Sequence, residues 1–427
     1  MVINIRKKVL RLVIVSLALL VCACTKPLPP AGPPEPAFSL PNTEGGLGGQ
    51  ILTVTNLNAD GPGSLQAALQ TQGPRIIVFE VGGVIDLEQR TLTIDEPFVT
   101  IAGQTSPSPG ITLIRGSVLI ATHDVLIQHI RVRPGDADQP KRSGWEPDGI
   151  STFGAEAYNI VIDHCSITWA VDENLSASGP QHEGREGTSR NITFSNNIIA
   201  EGLDNASHSE GRHSKGSLIF DHVTQVAIVG NLFAHNDDRN PYFKADATGV
   251  VVNNVIYNPG EVAISLDYDP DEYEGFTEEP RPARSSIVGN VLLCGQDTPF
   301  YLTLVAGVGE VYLNDNLALK RNNKPVAMTQ GRLTITDSMP IWIEGIDILP
   351  VGHVLDRVLR TAGARPWDRD AIDDRIVQSV RDGTGHLINS QNDVGGYPDM
   401  PMTSRTLDIP ETDITAWLES FIKAPEE

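Results

Sequence analysis

Several side chains in the middle of the chain are of types that do chemistry, and their spacing separates the chemistries they suit. His208, Glu210 and His213 stand close together in sequence. Imidazoles and a carboxylate are zinc-ligand types, but the spacing matches no tight helical motif such as His-Glu-x-x-His. A cleft-lining role, or a proton donor to a leaving oxygen, is the expectation for His208 and His213. Asp163 and His164 are adjacent and read as a hydrogen-bonded structural pair. Trp169 suits either stacking on a sugar ring or the core. Asp204 with Asp172 or Asp221 offers the converging carboxylates that glycoside hydrolysis requires.

Charge narrows the partners. The 427 residues hold 32 Lys and Arg against 54 Asp and Glu, a formal charge of -22. Nucleic-acid binding needs basic surface to neutralise phosphates, so it is excluded as a general activity. An acidic body that binds an acidic glycan needs a local basic patch, or metal ions that bridge carboxylate to carboxylate.

The elements that must position such groups form a repeat. From about residue 75 to 320, short β-branched segments alternate with Gly, Asn, Asp and Pro. One Asn closes corresponding segments at Asn197, Asn231, Asn254, Asn290 and Asn316, at intervals of 34, 23, 36 and 26 residues. Fixed strands with variable loops are the signature of a solenoid. Stacked at a tight turn, these asparagines are expected to bond to one another from coil to coil. Ser64 and the apolar Leu65, Ala68 and Leu69 predict a short helix that covers the N-terminal end. Helical spacing returns at Val354, Leu355, Val358 and Leu359, at Ile372, Ile376, Val377 and Val380, and at Ile414, Leu418, Phe421 and Ile422. A solenoid over 45–340 with a helix and loop extension over 341–427, folded back on its flank, is therefore expected. Nothing suggests an oligomer interface, and a monomer is expected.

The first residues read as an export signal, with Arg6, Lys7, Lys8 and Arg11 ahead of an apolar stretch too short for a comfortable membrane span. Val21-Cys-Ala-Cys24 resembles a bacterial lipobox. Residues 1–23 would be removed and Cys24 lipidated, leaving 28 basic against 54 acidic residues. The membrane is then met only through this anchor, on a cell-surface or outer-membrane lipoprotein. Ordinary cleavage would give a secreted or periplasmic protein. Residues 24–44 form a tether, with seven prolines between 26 and 41. Cys165 and Cys294 fall four coils apart. At about 4.8 Å per coil that exceeds the disulfide limit of about 7 Å, so two free thiols are expected.

A family likeness rests on motifs in order along the chain. Asn159-Ile-Val-Ile-Asp-His-Cys-Ser-Ile-Thr-Trp169 resembles the Val-Trp-Ile-Asp-His strand of family 1 pectate lyases. His213-Ser-Lys-Gly-Ser-Leu-Ile219, Asp237-Asp-Arg-Asn-Pro-Tyr-Phe-Lys244 and Val252-Asn-Asn-Val-Ile-Tyr257 resemble their His-Asp-Lys, Arg-x-Pro-x-x-Arg and Asn-Asn-x-x-Tyr segments. The likeness covers about residues 45–320. It implies an all-β fold, a right-handed single-stranded parallel β-helix, and a calcium-dependent cleft on one strand face. The implied activity is β-elimination on polygalacturonate, an acidic polysaccharide.

The resemblance also assigns residues. Asp148 and Asp172 match calcium ligands. A further carboxylate is often found four residues after the second, where this chain has Ser176, so Glu173 becomes a candidate ligand. Asp136 and Asp138 are weaker ones. Arg239 matches the catalytic arginine. Lys215 matches a substrate-binding lysine, and Lys244 replaces a second arginine, keeping charge but losing the bidentate fork. With Arg212 these give the expected local basic patch. The rival readings are a β-helix glycoside hydrolase, a lyase for another uronate polymer, and a non-catalytic glycan-binding solenoid.

Overall fold

The computed structural model describes residues 38–40, 43–276 and 280–423. The signal, Cys24 and most of the tether lie outside these residues. The chain winds as a right-handed parallel β-helix, the hand that crossover connections between parallel strands adopt. Three stacks of strands form its walls. Sheet 1 includes Ile150–Phe153, Glu173–Ser178, Lys215–Ile219 and Tyr242–Phe243. Sheet 2 includes Tyr158–Asp163, Arg190–Ser195, Thr224–Val229 and Thr248–Val252. Sheet 3 includes Ile130–Arg133, Ser166–Thr168, Ile198–Ala200, Leu232–Ala234 and Val255–Tyr257.

Register turns sequence alternation into columns. Ile162, Phe194, Ile228, Val251 and Ile287 stand one above another on sheet 2. Ile167, Ile199, Phe233, Ile256 and Leu292 do so on sheet 3. All are fully buried in one continuous core. Inward residues must be apolar because no water reaches the bore, while the next residue along each strand faces out.

The asparagine ladder forms at the turn between sheets 2 and 3. The Asn231, Asn254, Asn290 and Asn316 side-chain oxygens each accept from the backbone N–H and the side-chain amide of the preceding ladder member, at 2.8–3.1 Å. The left-handed backbone falls at the residue just before each ladder position, at His164, Asn196, Gly230, Asn253, Gly289 and Asp315. The ladder asparagine is thus a hydrogen-bonding residue, and its predecessor makes the bend.

Helix α1, Leu65–Leu69, is capped by Ser64, whose hydroxyl accepts from Ala67 N–H, and buries Leu65, Ala68 and Leu69. The extension contributes α2, Val351–Thr361, α3, Ala371–Asp382, and α4, Ile414–Glu419. Helices α2 and α3 bury Val354, Val358, Ile376 and Val377 against the outward Ile198, Leu232, Val255 and Val291 of sheet 3. Trp417 and Leu418 of α4, with Phe421 beyond it, pack on Ile76 and Val78 of sheet 2. Both described cysteines, Cys165 and Cys294, are free.

Candidate active site

Each coil re-enters sheet 1 at the same edge, and that edge collects the charged residues. Asp148 precedes Ile150–Phe153, Glu173 opens its strand next to Asp172, and Lys215 opens the next. Arg239 stands three residues before Tyr242–Phe243, with left-handed backbone at φ 60°. Register places Glu173 beside Lys215 and Lys215 beside Asp238. An amide network fixes the edge from below. Asn174 donates to Asn236 and Asn236 to Asn240, each at 3.1 Å. Asn174 follows Glu173 and Asn240 follows Arg239, so the network locks the backbone that carries both.

Asp148, Asp172 and Glu173 bring carboxylate oxygens within 4.8 Å of one another. Asp148 accepts from Glu173 N–H at 3.2 Å and from the Ser176 hydroxyl at 3.0 Å. Ser176, the departure from the family pattern, thus orients a neighbouring carboxylate. Burial and the Asp172 charge push the Asp148 carboxyl up to about 7. Burial would also raise Asp172, but hydrogen bonding from His213 holds it below the ordinary carboxylate range. Crowded carboxylates, here with Asp172 raising the pKa of Asp148, suit a hard divalent cation with oxygen ligands.

Arg239 pairs with Glu173. Its guanidinium lies 5.6 Å from the Tyr242 ring centroid, and its Nε is buried without a hydrogen-bond partner. Burial pushes its pKa down, opposed by the Asp172 charge.

The basic groups do not form one patch. Lys215 donates to Asp238 at 3.3 Å. Lys244 lies past the far end of its strand, bonded to Glu272 at 2.9 Å and 3.6 Å from Asp221. Arg212 clasps Asp204 at 2.8 and 3.1 Å, with 66% of its side chain exposed. Clustered like charges at low dielectric are costly, so the coils interleave each cation with an acid. The structure gathers Asp148, Asp172, Glu173, Arg239, His208 and His213, borders them with Lys215, and leaves Arg212 and Lys244 outside the centre.

The remaining candidates take structural partners. His164 bonds Asp163 at 2.9 Å. Trp169 is fully buried and donates to Glu201 at 2.9 Å, so it is core. Asp136 is held by Gln391 of the extension at 2.8 Å. Asp221 accepts from Tyr273 and Gln181, and Asp204 from Arg212. The converging pairs Asp204–Asp172 and Asp204–Asp221 are therefore not what these groups make. Sequence reasoning missed the partners Asp238 and Tyr242, the hydrogen bond from Ser176 to Asp148 and the amide network. Asn174 and Asn240, each beside a flagged residue, were the available signal.

A parallel β-helix with crowded carboxylates and a buried arginine on one strand edge is the architecture of a polysaccharide lyase. No family model matches the chain. Curated relatives do. A protein of Aspergillus terreus named "Probable pectate lyase C" is 32% identical over 375 residues, covering 84% of this chain and 80% of the relative. Its namesake in Neosartorya fischeri is 35% identical over 366 residues, covering 82% and 78%. The chain belongs to the pectate lyase family. Among solved structures, the fold is similar to the major allergen from cedar pollen, at TM-score 0.53 and 16% identity over 75% of this chain and 90% of that one. It is similar also to a pectate lyase bound to hexasaccharide, at TM-score 0.51 and 14% identity over 75% and 94%.

Proposed function

We propose that the chain cleaves polygalacturonate by calcium-assisted β-elimination, giving unsaturated oligogalacturonides. The convergence of Asp148, Asp172 and Glu173 beside a buried Arg239 carries this reading. Calcium bound there would neutralise the uronate carboxylate and acidify the adjacent C5 proton. Asp148 and Asp172 would supply protein ligands, with Glu173 shared between the ion and Arg239. Arg239 would meet the C5 proton, as its base or as the cation that stabilises the developing charge. Burial lowers its pKa, which moves an ordinarily permanent cation toward the base role. Lys215 would bind a neighbouring uronate carboxylate after release from Asp238. His208 and His213 line the same edge, and Arg212 and Lys244 would act at its margins.

The test is absorbance of the conjugated double bond with polygalacturonate, using the protein without residues 1–24. Absorbance that needs calcium and disappears in Arg239→Ala supports the proposal. New reducing ends without absorbance would identify a hydrolase. Binding without cleavage would identify a glycan-binding solenoid. Another uronate polymer giving the absorbance instead would reassign the substrate.

Export and lipidation at Cys24 are part of the same proposal, supported by the lipobox-like Val21-Cys-Ala-Cys24 and the proline-rich stretch after it. Incorporation of labelled fatty acid that is lost in Cys24→Ser tests the anchor.

A further inference from the structure

Beside the carboxylate cluster lies a second donor set of different chemistry. The His208 and His213 rings stack 3.6 Å apart and within 5° of parallel. Donor atoms of Asp172, His208 and His213 lie within 4.8 Å of one another. Both imidazoles are buried. His213 Nε2 is 2.8 Å from Asp172 Oδ1.

One nitrogen of each ring and a carboxylate oxygen of Asp172 are close enough for a single ion to gather them. An imidazole binds along the lone pair in its ring plane, so turning the two rings out of their stack brings both lone pairs onto a common ion at about 2.0–2.1 Å. The outer nitrogens face carboxylates as well. His208 Nδ1 is 3.9 Å from Glu146, and His213 Nδ1 is 3.9 Å from Glu210. Both distances are longer than a hydrogen bond; closing them would give each ring the carboxylate partner that orients metal-binding histidines. His208 Nδ1 also accepts from Glu210 N–H at 3.2 Å. That long bond would give way to the Glu146 carboxylate when Nδ1 takes the proton and Nε2 the metal.

We infer that His208, His213 and Asp172 form a second metal site, for a divalent transition ion of the zinc class. It coexists with the oxygen-only site of Asp148, Asp172 and Glu173. Imidazole donors select such ions, whereas carboxylates alone suit calcium. Asp172 is common to both sets, so the two ions would share a bridging carboxylate. The inference concerns binding and stands whether or not the lyase activity is found.

The experiment uses the metal-stripped protein and cobalt(II), whose visible absorption distinguishes tetrahedral nitrogen-rich from octahedral oxygen coordination. Calcium binding is followed separately by calorimetry. The expected result is one equivalent of tetrahedral cobalt, displaced by zinc and retained in saturating calcium. His208→Gln and His213→Gln each weaken cobalt at least tenfold, and His208→Gln changes calcium affinity less than threefold. Glu173→Gln does the reverse, and Asp172→Asn weakens both. Circular dichroism confirms that the variants fold. Cobalt that binds only octahedrally, is expelled by calcium, or survives both histidine changes overturns the inference.

Discussion

Charged side chains point outward from two walls of the same helix, and the walls use them oppositely. On sheet 3, Arg131 and Arg133 meet Asp370 and Asp373 at the start of α3, at 2.5–3.1 Å. Ser166 also donates to Asp373 at 2.7 Å, and Glu201 forks with Arg375 at 2.6 and 2.8 Å. Each charge there has a matched partner and the site is covered. On sheet 1 three carboxylates share Arg239 and the edge is open to the groove. Matching makes a joint. Unmatched negative charge, held in place by the amide network, makes a cation and substrate site.

Breaking each wall separately tests this contrast. The largest expected effect is on sheet 1, where Arg239→Ala should reduce kcat/KM by about 10³ per folded molecule. On sheet 3, Arg133→Ala leaves the buried Asp370 and Asp373 with Arg131 as the cation they share. Its expected cost is about 3–5 kcal/mol of stability, read by denaturant unfolding, with activity per folded molecule kept. A loss of activity without loss of stability there would erase the distinction. Between the walls, Asn254→Ala removes ladder bonds in both directions and leaves buried groups unpaired. About 1–3 kcal/mol is expected, again without a direct effect on the groove.

A further effect concerns acid. Burial and the neighbouring His164 push His129 down to about 3, and burial pushes His235 down to about 4. Both face the extension, through Ala364 and Ser379. The folded state favours the neutral rings, so their full contribution holds above about pH 6.5. It is lost as pH falls toward those values, at up to about 1.4 kcal/mol per pH unit for each group. Thermal midpoints between pH 7 and 4.5 should fall less steeply in His129→Gln.

Much of this fold was legible. Strand alternation and one asparagine per coil specified the stack, because a solenoid repeats its local rules. Ser64 and the apolar spacing in α2 and α3 announced helices, because a helix is read from neighbours three and four residues apart. Which residue makes the left-handed bend was not legible, since Asn suits both the bend and the ladder. At the site, Asp148, Asp172, Glu173 and Arg239 were found through motifs. Their partners were not. Glu173 with Arg239, Lys215 with Asp238 and Asp136 with Gln391 join segments separated by loops of unequal length.

The sequence by itself determined a solenoid of short strands, since that depends on short-range pattern, and its motifs implied, through the family resemblance, the β-helix and the residue types at its groove. Which cation meets which acid, whether Trp169 faces sugar or core, and that His208 stacks on His213 were decided by tertiary structure. Those outcomes depend on how loops of different lengths bring successive coils, about 4.8 Å apart, into register at one edge.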